Sequence, residues 1–183
     1  MTPSTPSSNK PRGRDLGLPF SGRTGANNAI TDVAGIGVGY RTILENEPRP
    51  GYTRPVRTGV TAILPHRGSD TPVPVYAGIH RFNGNGEMTG THWIEDGGAF
   101  LGPVVITNTH GVGMAHHATI KWMIDRYAST YRTDDSLWIM PVIAETYDGV
   151  LNDINGLHLT EADVRMALDA VASGPVQEGN CGG

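Results

Sequence analysis

One cysteine, Cys181, stands alone among 183 residues, so no disulfide can form within the chain. That fits a reducing compartment and leads us to expect a cytoplasmic protein. No apolar run is long enough to span a bilayer. The opening MTPSTPSSNKPRGR carries basic residues with no apolar stretch behind them, so it does not read as a secretory signal. Positive charge is not in excess either. The formal net charge is −4 and no Lys/Arg run stands out, which removes the electrostatic case for nucleic acid or a membrane surface. Internal repeats, linkers and low-complexity tracts are absent beyond the first residues. Residues 1–14 are Pro, Ser and basic residues with nothing to bury, and we expect a disordered tail there. The globular pattern runs over 15–183 as part of a single domain.

Several catalytic signatures are missing as well. No serine lies in a G-x-S-x-G elbow, and Ser4, Ser7, Ser8, Ser21, Ser69, Ser129, Ser136 and Ser173 read as capping or surface residues. There is no H-E-x-x-H and no Cys/His pair at zinc spacing. His116 and His117 are adjacent, so on a helix they point about 100° apart and cannot chelate one metal together. THWIED (91–96) and TNTHG (107–111) are the remaining places to look for ligands, and no metal is expected. Cys181 sits in a glycine-rich stretch without an identifiable base, so it reads as a small packed residue. GIGVGY lacks the order of a dinucleotide fingerprint.

Glycine, by contrast, is abundant at 25 residues. The glycines flank apolar runs, which points to tight turns and close backbone approaches in a sheet-rich molecule. Short, often β-branched runs predict strands at Ile36–Tyr40, Gly59–Leu64, Val73–Ile79, Val104–Thr107 and Leu137–Ile143. A helix is predicted from His116 to Ala128, apolar around most of its cylinder and so largely buried. A second is predicted from Thr160 to Ala172. Thr160 is its N-cap, Glu161 and Asp163 lie in its first turn, and Gly174-Pro175 stops it. Such elements with short connections suggest a layered α/β sandwich. The sequence closes on GNCGG, which reads as a stop in mid-loop.

PVIAETYDG (141–149) leaves a buried strand and presents Glu145, Tyr147 and Asp148. If the chain stays extended, Glu145 and Tyr147 point to one side with Cα atoms roughly 6–7 Å apart. A carboxylate and a phenol on one wall can hold two ends of a small substrate. The carboxylate can take an ammonium, and the phenol can donate to a developing oxyanion. Spacing alone fits a strand-end turn with solvated acids equally well.

From about residue 10 onward the chain carries, in order, RDLGLPF, NAITDVAGIGVGY, GVTAILPH, HRFNGNGEMTGTHWIEDGG, GPVVITNTHGVGMAHHAT, WIMPVIAETYDGVLNDING and GPVQEGNCGG. In these stretches it resembles the L-aminopeptidase D-amidase/D-esterase (DmpA-type) family, and related β-aminopeptidases share several of them. The resemblance implies a four-layer α/β/β/α sandwich like that of N-terminal-nucleophile hydrolases, with different strand connectivity. It implies a precursor that cuts its own backbone before a serine. That serine heads a second subunit and serves as nucleophile, with its own amine as base. Substrates would be short peptides, amides and esters with a free amino end. No cofactor or metal would be needed, and processed αβ pairs would form a homo-oligomer. By motif, Glu145 matches the acceptor of the substrate ammonium, Tyr147 an oxyanion-stabilising residue and Trp138 a wall of the substrate pocket. In the family, the GNCGG-like stretch runs on to an Asn, the cleavage site and the serine. None of these follows here, so the expectation is an incomplete α-subunit without its nucleophile, inactive alone and partnered by the C-terminal part of the same precursor. Three other readings stand beside it. They are a metal-dependent hydrolase using the His residues, an inactive assembly or binding fragment, and the fold-related acyltransferase of arginine biosynthesis, against which AETYDG argues.

Overall fold

The computed structural model describes residues 10–134, 138–179 and 182–183. Its elements, in chain order, are β1 (Gly37–Glu45), β2 (Val56–Leu64), β3 (Pro74–Tyr76), α1 (Thr91–Gly97), β4 (Ala99–Leu101), β5 (Val104–Asn108), α2 (Val112–Arg126), α3 (Ala128–Tyr131), β6 (Val142–Thr146) and α4 (Glu161–Asp169), with 3-10 turns at Ile30–Asp32, Thr109–Gly111 and Ile154–Gly156. Four strands form a sheet in the order β1-β2-β5-β6. The β1–β2 and β2–β5 pairs are antiparallel, and β5–β6 is parallel. Parallel neighbours need a crossover, and α2 lies in the connection between β5 and β6.

Alternation along the strands divides the sheet into two faces. Val60, Ala62 and Leu64 of β2, Val105 of β5 and Ile143 of β6 pack with Ala115, Ala118, Trp122 and Met123 of α2 and Val164, Ala167 and Leu168 of α4. The neighbouring residues Val104 and Val142 belong to a separate cluster with Ile94 of α1, Phe100 of β4 and Val75 of β3. The described residues therefore supply a sheet with a helical pair on one face and the small β3–β4 sheet against the other. At roughly 1.5–3 kcal/mol for each buried large aliphatic or aromatic side chain, the first cluster is the main stabilising term.

The helix α4 begins as its sequence dictates. The Thr160 hydroxyl accepts from the Asp163 N–H at 3.3 Å, and the Thr160 N–H donates back to the Asp163 carboxylate at 3.1 Å. It ends at Asp169 rather than Ala172, because Ala172 exchanges two backbone hydrogen bonds with Val38 of β1. The helix α2 starts earlier than expected, at Val112. It buries one face rather than its whole circumference, since Met114 and Ile124 remain exposed. Trp122 Nε1 donates to the Asp169 carboxylate at 2.7 Å and so links α2 to α4.

The strand expected over Leu137–Ile143 is instead Val142–Thr146. Leu137 lies outside the described residues, and Trp138–Pro141 precede the strand. Pro141 has no N–H to give a ladder, so pairing starts immediately after it. The expected strand Val73–Ile79 shrinks to three residues. Three elements have no counterpart among the expected ones: α1, with Gly90 (φ 73°) before it and Gly98 (φ 63°) after it, the three-residue β4, and the four-residue α3.

Of the expected tail, residues 1–9 lie outside the described residues, while Arg12, Gly13 and Arg14 are anchored. Arg12 Nε donates to Glu178 at 3.0 Å, its Nη1 donates to the Asn27 carbonyl at 2.7 Å, and its Nη2 donates to the Asn28 carbonyl. The Gly13 N–H also donates to Glu178, at 2.6 Å. The Gly13 N–H, and after it the Arg12 guanidinium, hold the Glu178 carboxyl below the usual carboxylate range. A lowered folded value means that the clamp stabilises fully above the ordinary value of about 4.3 and fades as pH falls through the folded value. Glu178→Gln should therefore melt below wild type at neutral pH, with the gap closing in acid. A gap of constant size from pH 7 to 3 would show that the clamp is not ionic.

Candidate active site

Glu145 lies on β6, one residue before the strand ends, and is half-buried. Two elements hold it. The parallel register pairs Thr107 with Glu145 and Asn108 with Thr146, which brings the turn after β5 beside the C-terminal end of β6. From that turn the Thr109 hydroxyl donates to Glu145 Oε2 at 2.5 Å. On the other side, the 87–89 segment lies along β6, with the Glu145 N–H donating to the Glu87 carbonyl at 3.0 Å and the Thr89 N–H to the Ile143 carbonyl at 2.9 Å. The carboxylate lines a cavity of about 490 Å³ together with Ile79, Phe82, Asn85, Met88 and His92.

The extended geometry expected for Glu145 and Tyr147 stops at Thr146. Tyr147 lies past the strand and is mostly exposed. It lines a different cavity of about 510 Å³ with Thr42, Arg57, Thr58, Asp148 and Gly182. Trp138 lines a third, largely apolar cavity of about 440 Å³ with Pro72, Trp93, Phe100 and Met140. Its ring meets Trp93 edge-on, with centroids 4.8 Å apart. The three residues singled out by motif thus occupy three neighbouring stretches of one chain segment but three separate cavities.

The turn after β5 is built to hold its shape. Asn108 is buried; its Oδ1 accepts the Gly111 N–H at 2.8 Å, and its Nδ2 donates to the Thr58 hydroxyl at 2.8 Å. In TNTHG the histidine is the conspicuous candidate, yet the residue that reaches Glu145 is Thr109. The pattern of a small polar residue directly after a buried strand was the available signal. His110, His117 and His92 are exposed. Burial, and secondarily the neighbouring His117, lowers the His116 imidazole below its ordinary value. Among the described residues no three His, Cys, Asp or Glu side chains gather in a way that could hold a metal ion. Among those residues, too, no helix is long and apolar enough to cross a membrane. The metal-dependent reading finds no support in this placement. Ser136 and Cys181 lie outside the described residues.

Comparison with known proteins gives this geometry a context. Residues 28–183 match the model of peptidase family S58. The chain is 52% identical over 175 residues to the β-peptidyl aminopeptidase BapA of Sphingosinicella microcystinivorans, covering 94% of this chain and 42% of that protein. Among solved structures, it superposes on the L-aminopeptidase D-Ala-esterase/amidase of Ochrobactrum anthropi with a TM-score of 0.91. Identity there is 82%, over 95% of this chain and 48% of that one. That protein is described as a prototype for the serine aminopeptidases and a new variant among the Ntn hydrolase fold. A β-aminopeptidase of Burkholderia sp. superposes with a TM-score of 0.82 at 44% identity, over 94% of this chain and 46% of that one. The chain spans a little under half the length of each. Its fold is that Ntn-hydrolase variant, mixed α/β.

Proposed function

Because the chain belongs to peptidase family S58, we propose that it is the substrate-reading part of a cytoplasmic aminopeptidase that releases N-terminal residues from short peptides, amides and esters. The observation that carries this reading is the half-buried Glu145 carboxylate, held by Thr109 and opening into a cavity of about 490 Å³. A free ammonium entering there meets a charge-assisted hydrogen bond. The scissile carbonyl then lies toward Tyr147, whose phenol donates to the oxyanion as it forms. Trp138 and its neighbours take the side chain of the substrate.

The attacking group in this proposal is an N-terminal serine produced by self-cleavage, whose own amine serves as base. No serine among these 183 residues is assigned that role. A second subunit from the same precursor supplies it, and αβ pairs assemble as a homo-oligomer. The proteins that this chain is similar to are about twice as long, which supports a second part of that size.

The test uses L-alanine p-nitroanilide and its N-acetyl counterpart. The full-length gene product should hydrolyse the first and not the second, and a serine-directed sulfonyl fluoride should abolish turnover. The 183-residue chain alone should give none. Equal turnover of the acetylated substrate would remove the ammonium reading. Turnover by the 183-residue chain, blocked by the serine reagent, would remove the two-part reading.

A further inference from the structure

We propose that Thr109 and Gly86 are positioning residues: together they form a seat that fixes the direction of the Glu145 carboxylate and so tune recognition of the free amine. This rests on the reading of Glu145 given above, and deepens it.

The two oxygens of Glu145 face different constraints. Oε2 accepts from the Thr109 hydroxyl at 2.5 Å. That donor cannot wander, because the residue before it, Asn108, is buried and bonded to both Gly111 and Thr58. Oε1 is aimed at Gly86, where an added Cβ would lie 2.6 Å from it. The chain at Gly86 cannot simply retreat, since the next residue, Glu87, accepts the Glu145 N–H at 3.0 Å. One oxygen is therefore tied and the other lies against Gly86, which lines the same cavity, in space left by the missing side chain.

The physics of the two contacts separates binding from stability. A methyl group at Gly86 meets the tip of a flexible side chain, not backbone. The carboxylate can swing away at little cost to the fold, but it then leaves the position from which it would meet an ammonium. Removing the Thr109 hydroxyl keeps the charge of Glu145 and loses only its direction. Both changes should therefore act on substrate binding more than on the chemical step.

The experiment is steady-state kinetics with L-alanine p-nitroanilide on the full-length, fully processed enzyme, together with thermal melts. Thr109→Val should raise KM about tenfold, with kcat changed by less than about threefold. Thr109→Ser, which keeps the hydroxyl, should restore KM to near wild type. Gly86→Ala should raise KM similarly while melting with wild type. Glu145→Gln is run in parallel. If it leaves KM unchanged, the reading of Glu145 falls and the seat with it. If it raises KM while Thr109→Val and Gly86→Ala leave KM unchanged, the seat alone is refuted. A lowered melting temperature in Thr109→Val that Thr109→Ser does not recover, with KM unrecovered too, would reduce Thr109 to a structural role and also refute the proposal.

Discussion

Glu145→Gln and Tyr147→Phe should give opposite kinetic signatures although the residues are two apart. The amide keeps the shape of Glu145 but cannot match the charge of a substrate ammonium. A charge-assisted hydrogen bond in a partly dry cavity contributes on the order of 2–4 kcal/mol. That corresponds to about a 30- to 1,000-fold loss in kcat/KM. Most of it should appear in KM for substrates with a free amine. Tyr147→Phe removes only a phenolic donor whose partner becomes an oxyanion in the transition state. It should lower kcat by about 100-fold with little change in KM. Measurement on processed enzyme decides, with processing checked by mass first. Near-wild-type kcat/KM in both variants would remove this segment from the active site.

The second large effect is on stability. Gly39 lies on β1 where α4 crosses it. A Cβ there would stand 2.2 Å from the Ala167 carbonyl oxygen and 2.7 Å from the Val171 nitrogen. Both neighbours are backbone, so the helix must move as a body, disturbing Val164, Ala167 and Leu168 in the core. Gly39→Ala should cost about 1–3 kcal/mol or more, lowering the melting temperature by about 2–4 °C per kcal/mol in a chain of this size. Gly113→Ala provides the control. That glycine is exposed in the first turn of α2, with nothing within 4 Å of its added Cβ. The same added methyl there should be neutral or stabilising by up to about 1 kcal/mol. Equal melting shifts in the two variants would mean that the close approach at Gly39 has no energetic weight.

Gly39 also shows what kind of information the sequence carried well. The reading of glycines as close backbone approaches needs only a missing side chain beside an apolar run, a local pattern. The same holds for the Thr160 cap and for the β-branched strands of the main sheet. The short helix α1 was invisible because only Thr91 and Ile94 of its seven residues are buried, too few to write a period. The strand before Glu145 was displaced because Pro141, apolar and fully buried, looks like a strand residue by hydropathy but cannot act as one in a ladder. Glu145 and Tyr147 were singled out by motif. Thr109 and Gly86 were not, because what brings them to the carboxylate is the parallel register of β5 on β6 and the pairing of the 87–89 segment. These are contacts between stretches some 36 residues apart for Thr109 and Glu145, and no local pattern encodes them.

The Arg12–Glu178 clamp joins residues 166 positions apart in the sequence. Closing so long a loop costs chain entropy that one exposed ion pair and a few carbonyl contacts cannot offset alone. The clamp can therefore form only after the sheet has already brought its two halves near each other. On this argument the clamp should form late and open first, so the Gly13 amide should exchange with solvent while the strands stay closed.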